Sequence, residues 1–277
     1  MTNRQTLSLT ALAMIAFAAN SLLCRLALMH TAIDPASFTA VRVIAGAVTL
    51  ALIIMSRGGR LSETGSWASG LALFVYAAAF SFAYVSLSAA TGALLLFGAV
   101  QVTMITVGLW RGERLSLRKL TGLGLAFGGL VTLLLPGLSA PPLASAVLML
   151  AAGLAWGIYS LRAKGATDPT AVTAGNFLRA VPFAAALTLL MWPSLKTDQA
   201  GILLAIASGA LASGLGYAIW YAALRGLRAT SAATVQLSVP VITALGGIVL
   251  LGEPLGLRVM VTSIAILGGI ALVVAKQ

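Results

Sequence analysis

Runs of about 20 mostly apolar residues, separated by short clusters of Pro, Gly and charge, repeat along the whole chain. A run of that length crosses the hydrocarbon of a bilayer as a helix, since a helix pairs its own N–H and C=O groups where no water can. Ten such runs lie at about 6–29, 36–56, 66–87, 90–111, 116–135, 142–162, 170–192, 199–224, 229–251 and 255–275. The pattern predicts an all-α integral membrane protein of ten transmembrane helices.

The pattern also repeats itself once. Leu251-Gly252-Glu253-Pro254-Leu255-Gly256-Leu257-Arg258 follows Arg111-Gly112-Glu113-Arg114-Leu115-Ser116-Leu117-Arg118 at an offset of 140 residues, and Gly128-Gly129 returns as Gly268-Gly269 at the same offset. Thr91-Gly92-Ala93 likewise returns as Ser231-Ala232-Ala233. An offset of 137 relates Phe80 and Tyr84 to Tyr217 and Tyr221, and one of 134 relates Asp34-Pro35 to Asp168-Pro169. Such drift is what loop insertions leave between duplicated units. Two halves follow, 1–137 and 138–277, with five spans each. Five is odd, so equivalent helices must cross the membrane in opposite directions.

Composition agrees with the setting: 60% of residues are hydrophobic and 8% charged, against roughly 25% charged in a soluble domain. The net charge of +11 reads as an orientation signal, because Lys and Arg collect in cytoplasmic connections. With the N- and C-termini in the cytoplasm, Arg4, Arg57, Arg60, Arg111, Arg114, Arg118, Lys119, Arg162, Lys164, Arg225, Arg228 and Lys276 fall inside, and only Lys196 and Arg258 clearly outside. The fourth-to-fifth connection carries four cations and its repeat-mate one; the third-to-fourth carries none and its mate two. The two halves are biased to opposite sides, as in inverted-repeat secondary transporters. The cations do not gather on an exposed face, so no nucleic-acid partner is expected.

Arg4, the apolar run and Ala16-Phe17-Ala18 resemble a cleavable signal peptide, but the run continues to about Met29 and its removal would break the repeat. It is expected to stay. The single cysteine, Cys24, allows no internal disulfide.

The residues Tyr221-Ala222-Ala223-Leu224, Ser231-Ala232-Ala233, Val239-Pro240-Val241 and Leu250-Leu251-Gly252-Glu253 resemble the signature of EamA-type carriers of the drug/metabolite transporter superfamily. The first half matches less completely: Tyr84, Leu87 and Gly112-Glu113 are present, but Val100 stands at the proline position. The whole chain is most similar to the YddG-like amino-acid exporters of that superfamily. The resemblance implies an inner-membrane exporter in which spans one to four and six to nine surround a central cavity while the fifth and tenth pack outside. Spans five and ten are nearly featureless Leu/Val/Ala/Gly helices, compatible with that role, and Gly124-x-x-x-Gly128 is expected to support internal packing ahead of dimerisation. A monomer is expected, with a homodimer as the alternative.

Candidate site residues fall into three groups. Arg179 lies about nine residues into its span, roughly 13 Å deep, and a cation there needs a cavity or a partner. It is a candidate for a substrate carboxylate, or for capping helix-end carbonyls. Arg42, its mate at the 137 offset, and Arg25 lie nearer span ends and are expected to snorkel. Aromatic stripes form the second group: Tyr76, Phe80 and Tyr84 in span three, Tyr217 and Tyr221 with Trp220 in span eight, and Trp156 and Tyr159 in span six. They supply apolar walls and a face for an ammonium, or serve packing. Third are the amides Asn20, Gln101, Asn176 and Gln236, which bind substrate or join helices, and Pro240, expected to kink span nine and free a carbonyl.

All six acids and the one histidine, His30, fall in loops or near span ends. No metal cluster, catalytic triad or Gly-Lys nucleotide loop is present in the sequence, so no cofactor, catalysis or ATP dependence is expected. A small-solute carrier remains. One deep cation with aromatic walls fits amino acids, by alternating access and facilitated rather than proton-coupled movement; a proton-coupled drug or metabolite exporter of the same superfamily is the alternative.

Overall fold

The computed structural model describes residues 3–58, 64–110, 116–135, 140–163, 166–227 and 235–274, and these form helices with no strand among them. The motif residues Arg111, Gly112, Glu113, Arg114 and Leu115, the segment Ser231-Ala232-Ala233, and the cations Arg60, Lys164, Arg228 and Lys276 lie outside the described residues.

Helices α1 (Asn3–His30), α2 (Pro35–Ser56), α3 (Trp67–Tyr84), α4 (Ala89–Trp110), α5 (Leu117–Leu134), α6 (Leu143–Ala163) and α7 (Pro169–Leu190) follow the expected spans. The eighth is interrupted: α8 (Gln199–Ala207) passes through a π-helical stretch, Ser208–Leu215, into α9 (Gly216–Leu224). Then come α10 (Ser238–Leu251) and α11 (Leu257–Val274). Eight of these spans are long and apolar enough to cross a membrane, and Ser238–Leu251 and Leu257–Leu272 are shorter apolar helices.

The repeated Asp-Pro pairs explain themselves as helix starts. Asp34 caps α2 by accepting from Ala36 N (2.8 Å) and Ser37 N (3.0 Å), and Asp168 caps α7 by accepting from Ala171 N (3.0 Å). In both, proline occupies the first turn, where its missing N–H costs nothing. Asp34 also accepts from Lys196 N (2.8 Å), tying the α1–α2 connection to the α7–α8 connection. Partial burial pushes its carboxyl up, but the hydrogen bonds from Ser37, Lys196 and Ala36 outweigh it and hold the group below its usual range.

Contacting pairs give the directions of the helices. Thr6 meets Gly226, Ala16 meets Gly216 and Asn20 meets Ser208, so α1 runs antiparallel to the eighth span. Ser69–Arg162, Tyr76–Trp156 and Ser86–Ser145 make α3 antiparallel to α6. Leu96 and Ala99 meet Gly153 and Thr103 meets Gly157, so α4 runs with α6.

Two sets of packing contacts are reciprocal. A Cβ on Gly129 would lie 2.9 Å from Ile266 Cγ1, while one on Gly269 would lie 2.6 Å from Ala126 N; 126 and 129 correspond to 266 and 269 at the 140 offset. Likewise Gly70 faces Arg179 Cβ (2.8 Å) and Asn176 O (3.2 Å), and Gly209 faces Ala45 Cβ (2.9 Å) and the Arg42 carbonyl. The second set joins positions 42 and 45 on one side and 176 and 179 on the other, which lie at the 134 offset of the Asp-Pro pairs. Gly124 and Gly128 have open space beside them. The seam against α11 is built instead from Gly122, Ala126 and Gly129, the adjacent face of α5.

Candidate functional site

Six of the candidate residues converge on one interior cavity. Asn20 of α1, Tyr76 and Phe80 of α3, Trp156 of α6, Tyr217 of α9 and Gln236 line it together with Phe17, Ser21, Leu96, Phe97 and Ala212. The aromatic stripes of α3 and α9 do not face each other directly. Trp156 is wedged between them, its ring centroid 4.9 Å from Tyr76 and 5.1 Å from Tyr217, stacked on the latter at 21°. The rings therefore fill most of the space they enclose, leaving a cavity of about 20 Å³, room for little more than one water. A larger hollow of about 260 Å³ lies among Ser86, Leu87, Ser88, Thr91 and Ala140-Pro141-Pro142, and holds none of the candidate residues.

A hydrogen-bonded chain crosses the cavity wall. Ser208 Oγ, in the π-helical stretch, donates to Asn20 Oδ1 (2.7 Å); Asn20 Nδ2 donates to Tyr76 Oη (3.1 Å); Arg42 Nη2 donates to the same Tyr76 oxygen (3.0 Å). Here the structure corrects the expectation that Arg42 snorkels. Arg42 is 2% exposed, and its guanidinium carbon lies 5.1 Å from the Tyr76 ring centroid and 4.7 Å from that of Phe80. Arg42 Nη1 has no partner, and no carboxylate among the described residues pairs with Arg42.

Arg179, by contrast, is spent elsewhere. Its Nη1 donates to Thr64 O (2.6 Å) and to Gly175 O (3.0 Å). A helical side chain leans back toward its own N-terminus, so Arg179 returns to the start of α7 and fastens the segment before α3. Its contacts lie outside the cavity wall.

Four candidates form a layer behind the wall. Tyr159 stacks on Trp156 (5.2 Å) and donates to Thr173 Oγ1 (3.3 Å), which donates to Tyr221 Oη (3.2 Å). Asn176 Oδ1 accepts from Ser66 N (2.9 Å), joining α7 to the start of α3. Tyr84 sits edge-on to Phe80 at 4.7 Å. Gln101 is buried on α4 outside the cavity wall. Pro240 stands in the first turn of α10, just past a break in the helical path of span nine: residues 235–236 are helical, Leu237 is a turn, and the helix resumes at Ser238.

Arg25 does not snorkel either. Its Nε pairs with Glu253 Oε1 at 2.7 Å and its Nη1 donates to Tyr84 O (3.0 Å) and Val85 O (3.1 Å), while Glu253 Oε2 accepts from Ala89 N (2.7 Å) at the start of α4. The pair is buried, with 13% and 9% of the side chains exposed. It joins α1, the ends of α3 and α4, and the α10–α11 connection at one end of the bundle. At the other end Thr64, Ser66 and Ser69 hold α6 and α7 through Ala171 O, Asn176, Arg179 and Arg162. These two groups of contacts lie at opposite ends of the bundle, with the cavity between them.

A protein of Pseudomonas aeruginosa, described as uncharacterized protein PA1977, is 60% identical to the chain over all of its length and 97% of its own. A solved crystal structure shares the fold at 20% identity, with a TM-score of 0.70 over 98% of this chain and 96% of that one. The model of the EamA-like transporter family matches twice, over residues 5–135 and again over 143–275, and together the two matches take in nearly the whole chain. The apolar helices around an aromatic cavity are those of a multi-pass membrane transporter, and the chain belongs to the EamA-like transporter family.

Proposed function

We propose that the chain is an inner-membrane exporter of amino acids, broad in side-chain choice, which works by alternating access between two inverted five-helix repeats, 1–137 and 138–277, with both termini cytoplasmic. The observation that carries the reading is the cavity wall: rings from α3, α6 and α9 with the amides Asn20 and Gln236, where helices of both halves meet. Apolar rings suit varied side chains and offer faces for an ammonium, while amides hydrogen-bond neutral polar groups. Amino acids as cargo and export as direction come from the resemblance to YddG-like exporters.

The reciprocal contacts of Gly129 with Ile266 and of Ala126 with Gly269 support the inverted repeat, since two antiparallel helices of similar sequence meet in this way. The Arg25–Glu253 pair at one end and the serine-rich contacts at the other supply two alternative closures around one site. A second reading, a proton-coupled drug or metabolite exporter, is favoured by one feature: Glu253 is buried rather than solvated, and a buried carboxylate is a possible proton carrier.

Counterflow in proteoliposomes, with labelled amino acids and a set of cationic drugs, separates the two. Exchange of several amino acids with none of the drugs is expected. Drug exchange with no amino-acid exchange overturns the reading.

A further inference from the structure

Arg42 presents an unusual balance. It is a charged group, 2% exposed, in the middle of a helical bundle, with no ion-pair partner among the described residues and one guanidinium nitrogen unpaired. An unmatched charge in such surroundings is costly, because the low dielectric that strengthens a good pair penalises a lone ion. Two ring faces and one hydroxyl offset part of that cost. They supply no counter-charge.

The hydroxyl carries a second clue. Tyr76 Oη accepts from both Asn20 and Arg42, and its own proton remains to be donated. Tyr76 and Phe80, whose faces hold the guanidinium, are themselves part of the cavity wall. The phenol stands in the cavity wall and the cation directly behind it, a donor set suited to an anionic oxygen group that reaches past the Tyr76 hydroxyl.

We infer that Arg42, together with Tyr76, is the recognition point for the carboxylate of the transported molecule, which supplies the counter-charge the protein omits. The inference rests on the amino-acid reading for its choice of carboxylate. It also divides the site. The faces of Tyr76 and Phe80 already hold the guanidinium, so a substrate ammonium goes to the Trp156 and Tyr217 side, and the two ends of an amino acid are read by different helices. Arg179 plays no part, because its Nη1 is committed to Thr64 O and Gly175 O.

Matched acids and amides test this. Phenylalanine, phenylalaninamide and 3-phenylpropionate are compared as competitors of labelled phenylalanine counterflow, and as stabilisers against heat in detergent, for wild type, R42Q and R42K. Wild type should prefer phenylalanine over phenylalaninamide, which differ only in the carboxylate, by at least about tenfold, the size expected of a charge-assisted hydrogen bond. R42Q should lose that preference while amide binding stays constant. R42K keeps the charge but not the planar fork and should fall between them; it carries the test if R42Q does not fold. An unchanged acid preference in either folded variant, or no preference in wild type, overturns the inference. If phenylalanine is not carried, but 3-phenylpropionate stabilises wild type and not R42Q, the amino-acid reading fails and the Arg42 assignment stands. Failure of both acids to stabilise wild type overturns both.

Discussion

At the scale of single residues, Glu253 shows how a loop acid becomes a structural anchor. It receives a guanidinium on one oxygen and the first N–H of α4 on the other, so both oxygens are engaged and the helix dipole adds to the attraction. Removing one partner of such a pair leaves the other charge unpaired in a buried site, at a cost of about 3 kcal/mol or more. E253Q can still accept from Ala89 N but turns a donor toward Arg25. We expect E253Q and R25M each to lower the melting temperature clearly, and the double variant to lose at least about 1 kcal/mol less than the sum of the singles. Thermal melts of the four proteins in one detergent check this; strict additivity would mean that the pair does not hold this end closed. The sequence shows that Glu253 lies in a repeated motif, but not that Arg25, 228 residues away, comes back to it. Depth along a helix, the only coordinate a sequence offers for Arg42 and Arg179, does not show which neighbours each side chain meets. What separates them is the helix face, which only the packing of α2 against α3 and of α7 against the Thr64 segment determines.

Helix positions were legible because apolar length is a strong signal, and the Asp-Pro starts because capping is local chemistry. The π-helical stretch Ser208–Leu215 was not legible. Its sequence, Ser-Gly-Ala-Leu-Ala-Ser-Gly-Leu, is as apolar and small as an ordinary membrane helix, and the extra residue per turn is selected by what packs on it. At Gly209 the neighbour comes close: a Cβ would run into the Arg42 carbonyl and lie 2.9 Å from Ala45 Cβ. The widened turn also carries Ser208, which holds Asn20, so it sets one corner of the cavity. G209A should therefore push α2 off this turn and shift Arg42 from its rings. We expect a loss of about 1–3 kcal/mol in stability and a larger loss of transport than G128A, which adds a methyl where there is open space. Equal transport by the two variants, at equal amounts of folded protein, would sever the link between this turn and the site.

For the molecule as a whole, the distribution of titratable groups bears on energy coupling. Among the described residues the cavity wall holds rings, amides and a hydroxyl but neither carboxylate nor histidine, and the buried Glu253 is committed to Arg25 and Ala89 at one end. A carrier of this kind should move its substrate down the substrate's own gradient. Proteoliposomes should show uptake of labelled amino acid without an imposed ion gradient and with no effect of a protonophore. Concentrative uptake driven by a pH gradient would contradict this, and its loss in E253Q would then identify the proton carrier. The sequence carried the all-helical membrane character at this scale, since apolar length needs no side-chain detail. It could not show that the aromatic residues would fill their own cavity, because Trp156 reaches between Tyr76 and Tyr217 only when three helices from both halves are in place. That filling also bears on the cell's energy supply. With space for about one water among the described residues that line it, the cavity in this form offers no room for a file of water along which protons could hop. A membrane transporter resting in this form would add no standing leak to the gradient that drives ATP synthesis.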